Sequence, residues 1–227
     1  MKKENKMKID DMVIVITGAH GATGSVLFEY FCKKSAVTVG TLRNLDSKWK
    51  EKSEGFLTKC DLLELDQVEG CVELIRDRLG KIDAWINVVG GFTMGKPVEE
   101  IESDWDRMHI LNFTTTLNCI KSVMPVMKET GYGRIINFGS KAGEKGMGLA
   151  GPYTVSKAAV HSLTKTVSQE VEGDITCNAV MPDIIDTLAN REAMPDVNFN
   201  SWTKPIDIAD KIESIILAKT NGQLIYV

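Results

Sequence analysis

Three side chains in the second half of the chain, Ser140, Tyr153 and Lys157, have types and spacing suited to moving a proton. Tyr153 and Lys157 stand four residues apart, so on a helix they share one face. A phenol with a pKa of about 10 is a poor acid–base group at neutral pH, and a neighbouring ammonium favours its phenolate. Lys157 is expected to bring the Tyr153 pKa down in this way. Ser140 closes the stretch Asn137-Phe138-Gly139-Ser140, where its hydroxyl can hold a carbonyl oxygen while Tyr153 delivers the proton. This chemistry suits a carbonyl or alcohol and needs a separate hydride carrier.

A glycine loop points to that carrier. Thr17-Gly18-Ala19-His20-Gly21-Ala22-Thr23-Gly24 follows the apolar run 13–16 and precedes a helix-like stretch from Ser25. Glycines between a strand and a helix permit a tight turn, let backbone N–H groups approach a pyrophosphate and aim the positive helix end at it. Gly18, His20, Gly21, Ala22, Thr23 and Gly24 are therefore expected to meet a dinucleotide, with His20 near a phosphate. Sites selective for NAD carry an acid near the end of the second strand. Here Val39-Gly40-Thr41-Leu42-Arg43-Asn44 has no carboxylate before Asp46. Arg43 can pair with the extra phosphate of NADP and Thr41 can hydrogen-bond it. NADP is preferred, and NAD stays open.

These residues need a frame that gathers strand ends. Short Val- and Ile-rich runs alternate with stretches whose apolar positions recur every three or four residues, the pattern of a βαβ series. Strands are expected at 13–16, 36–41, 55–58, 81–88, 133–138, 174–180 and 223–227, and helices at 25–33, 65–79, 101–127 and 153–171. The expected fold is α/β: a single doubly wound, Rossmann-type domain over 1–227, with a mostly parallel seven-stranded sheet and helices on both faces. Residues 1–11 are read as a flexible start. The least regular stretch, 181–205, holds three prolines, and 183–204 is read as a flap over the site.

Composition narrows the class. Of 227 residues 43% are apolar and 26% charged, and 27 basic side chains face 31 acidic ones. That balance offers no broad basic surface, which counts against nucleic acid or an anionic membrane as a main partner. No apolar run approaches the ~20 residues of a spanning helix, and the charged start lacks a secretory segment, so a cytoplasmic protein is expected. The five cysteines are scattered, with no C-x-x-C pair, which argues against a disulfide framework and a zinc site. The three histidines have no ligand spacing, and no metal is expected.

At Ser140, Tyr153-x-x-x-Lys157 and the glycine loop, the sequence resembles the short-chain dehydrogenase/reductase family, from about Met12 to Val227. The resemblance implies a catalytic set of Ser140, Tyr153, Lys157 and Asn112. Asn112 would keep a water-linked proton relay to the lysine, and Tyr153 and Lys157 would also touch the cofactor. It further implies that Asn87, Val88 and Gly90 lie under the cofactor, that Asp61 with Leu62 holds the adenine ring, and that Pro182, Ile184, Ile185 and Thr187 meet the nicotinamide. A homodimer or homotetramer through the helices near Ile101 and Pro152 is implied too, with Leu111, Leu117, Ile120, Val155, Ala159 and Leu163 as candidate contacts. Three features depart from the family pattern: Ala22 in place of a glycine, Asp183 after Pro182, and a short C-terminus.

Gly90-Gly91-Phe92 and the stretch 190–202 are similar to dihydropteridine reductase-like members, which makes pterin reduction an alternative. Ser140 and Thr41-Leu42-Arg43 instead favour a carbonyl reductase or alcohol dehydrogenase. Phe92, Met94, Met147, Leu149 and Met194 are expected to give it an apolar, adaptable pocket for a small molecule. A reading of another kind is an NADP-binding sensor or scaffold without turnover.

Overall fold

Val13, Ile14, Val15 and Ile16 are all buried, the odd numbers against one face of a sheet and the even numbers against the other. A run that is apolar on both sides needs a helical layer above and below, and the chain supplies both. The structure, a computed structural model, describes residues 8–34, 36–46, 49–52 and 55–227. Its elements begin with β1 (Val13–Thr17), α1 (Ala22–Lys33), β2 (Val37–Leu42), β3 (Trp49–Lys52), β4 (Gly55–Lys59), α2 (Leu65–Leu79) and β5 (Ala84–Asn87). They continue with α3 (Asp104–Met108), α4 (Thr115–Thr130), β6 (Tyr132–Phe138), α5 (Lys141–Lys145), α6 (Gly151–Glu170) and β7 (Asp174–Met181). The chain ends with α7 (Leu188–Ala193), α8 (Pro205–Leu217) and β8 (Leu224–Tyr226).

The sheet runs β3-β4-β2-β1-β5-β6-β7-β8, parallel except for the β3–β4 pair. It has one strand more than the seven expected. The added strand is β3, whose Lys50 and Glu51 carry no apolar signal and whose antiparallel pairing closes the edge beside β4. Ile208, Ile212 and Ile216 of α8 pack with Leu27 and Phe31 of α1 on one face. Val68 and Ile75 of α2, Val123 and Met127 of α4, and Val167 of α6 pack on the other. Chain order reverses between β1 and β5, which opens a crevice at the strands' C-terminal ends.

Three expectations change. The long helix over 101–127 is interrupted: a wide π turn, His109–Thr114, separates α3 from α4 and buries Asn112. A π turn adds one residue without ending the apolar face, so periodicity does not reveal it. Of the flexible start, 1–7 lie outside the described residues, while Ile9–Asp11 form a 3-10 turn with Ile9 buried. The stretch read as a flap carries α7 and is fastened at its base, where Thr203 N donates to Ile184 O and Asp186 N donates to Thr203 O, both at 2.9 Å.

Among the candidate subunit contacts, Ile120 is buried in the core, whereas Val155 is exposed. None of the five cysteines, all of them among the described residues, is joined in a disulfide. Among the described residues no helix is long and apolar enough to cross a membrane.

Candidate active site

β6 delivers the chain to the crevice, and beyond its end Ser140 caps α5, its Oγ accepting from Ala142 N at 3.2 Å. α6, with Pro152 in its first turn, lays Tyr153 and Lys157 on the face that meets this strand end. The Tyr153 phenol stands near enough to the Ser140 side chain for the hydroxyl to favour its ionisation. Phe92 packs its ring edge-to-face on Tyr153, with centroids 4.8 Å apart. These residues form one wall of a cavity of about 770 Å³, and the glycine loop forms another.

The expected acidification of the phenol by Lys157 is corrected here. Burial pushes Tyr153 above its ordinary value, and the nearby Ser140 side chain draws it part of the way back. Lys157 Nζ donates to the Phe138 carbonyl at 2.7 Å, and burial brings its own pKa down to about 8. In so poorly hydrated a wall each charge is penalised before it can favour its neighbour's ionisation.

Asn112 fastens two walls together. Its Oδ1 accepts from Gly91 N at 2.8 Å, and its Nδ2 donates to Gly91 O at 3.1 Å and to Ser156 Oγ at 2.9 Å. Ser156 Oγ donates in turn to Tyr153 O at 2.7 Å. The side chain needs a glycine beside it: a Cβ on Gly90 would stand 2.6 Å from Asn112 Oδ1 and 3.3 Å from Lys157 Nζ.

The loop opposite is shaped for close approach by a ligand. Gly18 has φ +65°, and a Cβ on Gly24 would stand 2.3 Å from Gly18 O. Gly21 caps α1, whose first turn holds no acid and whose first amides lack partners within the helix. Gly18, Gly21, Ala22, Thr23 and Gly24 all line the cavity, as do Val88, Gly90, Pro182, Ile184 and Ile185. This donor set fits the pyrophosphate of a dinucleotide. Thr17, which sequence reasoning missed, supports the floor, because its Oγ1 accepts from Val88 N at 2.8 Å and Val89 N at 3.2 Å. A threonine at the last position of the first strand was the available signal.

Other expected residues lie elsewhere. Asn87 is buried, its Nδ2 donating to Asn137 Oδ1 and its Oδ1 accepting from Trp85 Nε1, both at 2.9 Å. Its side chain ties strands instead of facing the cavity, because it is fully used inside the sheet. Thr41 is buried too, and its carbonyl receives the amides of Gly18 and Ala19, at 3.1 and 3.3 Å. It therefore holds the glycine loop, with no hydroxyl exposed for a phosphate. Leu62 is buried with its carbonyl accepting from Asn118 Nδ2, His20 is exposed outside the cavity lining, and Thr187 caps α7.

Arg43 and Asp61 meet each other, Nε donating to Oδ2 at 2.9 Å. Against the upward pull of partial burial, that bond and the Leu63 amide hold the Asp61 carboxyl below its ordinary value. Of the expected pocket walls, Phe92, Met94, Met147 and Met194 line the cavity, and Leu149 stands outside the lining. Asp183, the departure beside Pro182, pairs with Lys141 at 3.1 Å, so its charge is matched.

A family model described as short chain dehydrogenase matches residues 12–198. The chain is 30% identical to a 3beta-hydroxysteroid dehydrogenase of Mediterraneibacter gnavus, over 84% of this chain and 72% of that one. It is also 30% identical to a 3-oxoacyl-acyl-carrier-protein reductase of Thermotoga maritima, over 91% and 90%. Its fold is similar to that of ElxO solved with NADP bound, with a TM-score of 0.86 and 23% identity over 97% of each chain.

Proposed function

From the chain's membership of the short-chain dehydrogenase/reductase family, we propose that it interconverts an apolar ketone and its alcohol, with Tyr153 as the acid–base residue and NADP preferred over NAD. It is an NAD(P)-dependent oxidoreductase of that family. The observation that carries the finer reading is the facing of Ser140, Tyr153 and Lys157 across one cavity from a glycine loop that fits a pyrophosphate.

A nicotinamide bound in that cavity supplies or takes up the hydride. Ser140 donates its hydroxyl proton to the substrate oxygen and orients it, and Tyr153 hands a proton to that oxygen in reduction or removes it in oxidation. Lys157 stands one turn from Tyr153, its Nζ held by the Phe138 carbonyl, and so fixes the wall behind the phenol. Asn112 keeps the Gly91 loop against α6 so that floor and wall hold one geometry.

Arg43 supports NADP, since it directly follows β2 and no carboxylate occurs in the chain from there to Asp46. The relatives are named for a steroid alcohol and a 3-oxoacyl carrier, so the substrate is argued from the cavity itself. Phe92, Met94, Met147 and Met194 suit a flat or medium-sized hydrophobic carbonyl. Segment 183–204, which borders the cavity through Asp183, Ile184, Ile185, Asn190 and Met194, is the substrate-facing cover. The cytosol is the proposed location, because five scattered cysteines with no disulfide between them suit a reducing compartment. A homodimer through α4 and α6 is the proposed assembly, with Val155 exposed on α6.

The test mixes the protein with NADPH and a panel of aryl ketones, quinones and quinonoid dihydropterin, following absorbance near 340 nm. Turnover of an apolar ketone is expected, and Tyr153→Phe is expected to lower kcat about 10³-fold while the NADPH Kd stays within about threefold. Turnover of the dihydropterin alone would assign pterin reduction instead. Tight NADPH binding without turnover on any compound would make the protein a binding module.

A further inference from the structure

His161 lies one turn beyond Lys157, where helix packing accounts for a histidine, yet its ring meets the candidate site. The last sheet bond of this strand end runs from Gly139 N to Val180 O at 2.9 Å. The next amide, Ser140 N, leaves the sheet and donates to His161 Nε2 at 3.2 Å. The ring is buried at 5% exposure, and its place is cleared by two glycines. A Cβ on Gly139 would stand 2.6 Å from Nε2, and one on Gly143 would stand 2.8 Å from Cε1. An accepting Nε2 requires the neutral tautomer with its proton on Nδ1. The charged groups around the ring are Lys157 and Lys165 on α6 and Glu144 on α5. Burial first, and then the Lys157 charge, bring the His161 pKa down to about 4.

We infer that His161 is a positioning residue for Ser140. Its Nε2 anchors the Ser140 amide while Ala142 N occupies a lone pair of the hydroxyl, leaving the hydroxyl proton to point at Tyr153 and the substrate oxygen. The inference rests on the reading of Ser140 and Tyr153 as the reacting pair. A buried amide left without an acceptor is penalised, and the strand end would shift to relieve it.

His161→Leu in the full chain is expected to lower kcat about tenfold, with KM and the NADPH Kd within about twofold. The rising limb of the pH profile for alcohol oxidation should move to higher pH, because a displaced Ser140 hydroxyl would draw the phenol's pKa down less. His161→Gln, which can set an amide oxygen where Nε2 stands, should restore most of both. In a Ser140→Ala background His161→Leu should lower kcat less than about twofold further. A full tenfold loss in that background, or an unmoved pH limb, would reduce His161 to packing and overturn the inference. Histidine ¹⁵N resonances of the unaltered protein give a check that needs no variant to fold. Nε2 should be unprotonated from about pH 5 to 8, and a protonated Nε2 there would overturn the inference. Failure of the underlying reading has a separate signature, since Tyr153→Phe would then keep full turnover.

Discussion

The two ends of the crevice are built on different terms. At the β6 end, Ser140, Lys157 and Asn112 are buried, and each is hydrogen-bonded to backbone: Ala142 N, Phe138 O and Gly91. At the β2 end, Arg43 has a side chain 62% exposed and pairs with one carboxylate, Asp61. Proton transfer needs groups held to a fraction of an ångström, which a network of buried bonds supplies. Choosing between two cofactors needs only a charge that can change partners, and solvent lets it do so. The difference predicts that substitutions at the first end act on rate and stability together, while those at the second act on affinity alone.

Lys157→Met tests the buried end most severely. It is expected to lower kcat by about 10²-fold or more while making the fold more stable at pH 7. Burial lowers the folded-state pKa from its ordinary 10.5 to about 8. Below about pH 8 the folded protein therefore bears the full cost of a buried ammonium, and that cost is relieved as the pH climbs from about 8 to 10.5. Loss of the Phe138 bond offsets part of it, so a gain of about 2 kcal/mol is expected at neutral pH, vanishing above about pH 10.5. Denaturant titrations of both proteins at pH 7 and pH 10 measure this, and a variant less stable at both would break the contrast.

Arg43→Ala probes the exposed end. NADPH should bind about tenfold more weakly and NADH within about threefold of the unaltered protein, with melting temperature unchanged. Fluorescence titration with each cofactor reads it. Equal losses for both would mean that Arg43 serves Asp61 and not the cofactor's phosphate.

The smallest effect concerns strain in the exposed turn that precedes α6. Leu149, with φ +61°, is the one non-glycine residue at positive φ among the described residues, and its carbonyl accepts from Gly95 N at 2.8 Å. Leu149→Gly removes the steric penalty but loosens the unfolded chain. A net gain of up to about 1 kcal/mol is expected by denaturant titration. A loss would show that the leucine side chain contributes more to the fold than its conformation costs.

What could be read in advance follows the same division. Runs such as Val13-Ile14-Val15-Ile16 announce a strand buried on both sides, and the four-residue step from Tyr153 to Lys157 announces a shared helical face, so the frame and that shared face were legible. Partner choice was not. Nothing in the spacing says that Lys157 Nζ meets the Phe138 carbonyl, because that depends on where a strand end lies relative to a helix 19 residues on. Asn87 and Thr41 sit at the right ends of their strands but turn inward, and a parallel sheet buried on both faces has no polar–apolar alternation to reveal direction. The π turn at Asn112 and the charged strand β3 escaped because neither leaves an apolar signature.

That extra strand has a consequence for inheritance and engineering. The stretch carrying Arg43 leaves the sheet from β2 and re-enters it as β3 at the same margin, remote in the strand order from β6 and its helix. Arg43 is tied from this margin to Asp61, just beyond β4, so the pair belongs to the edge half of the sheet. On the proposed reading of Arg43, exchanging this edge together with Asp61 would retune which dinucleotide is taken up and leave the β6 end untouched.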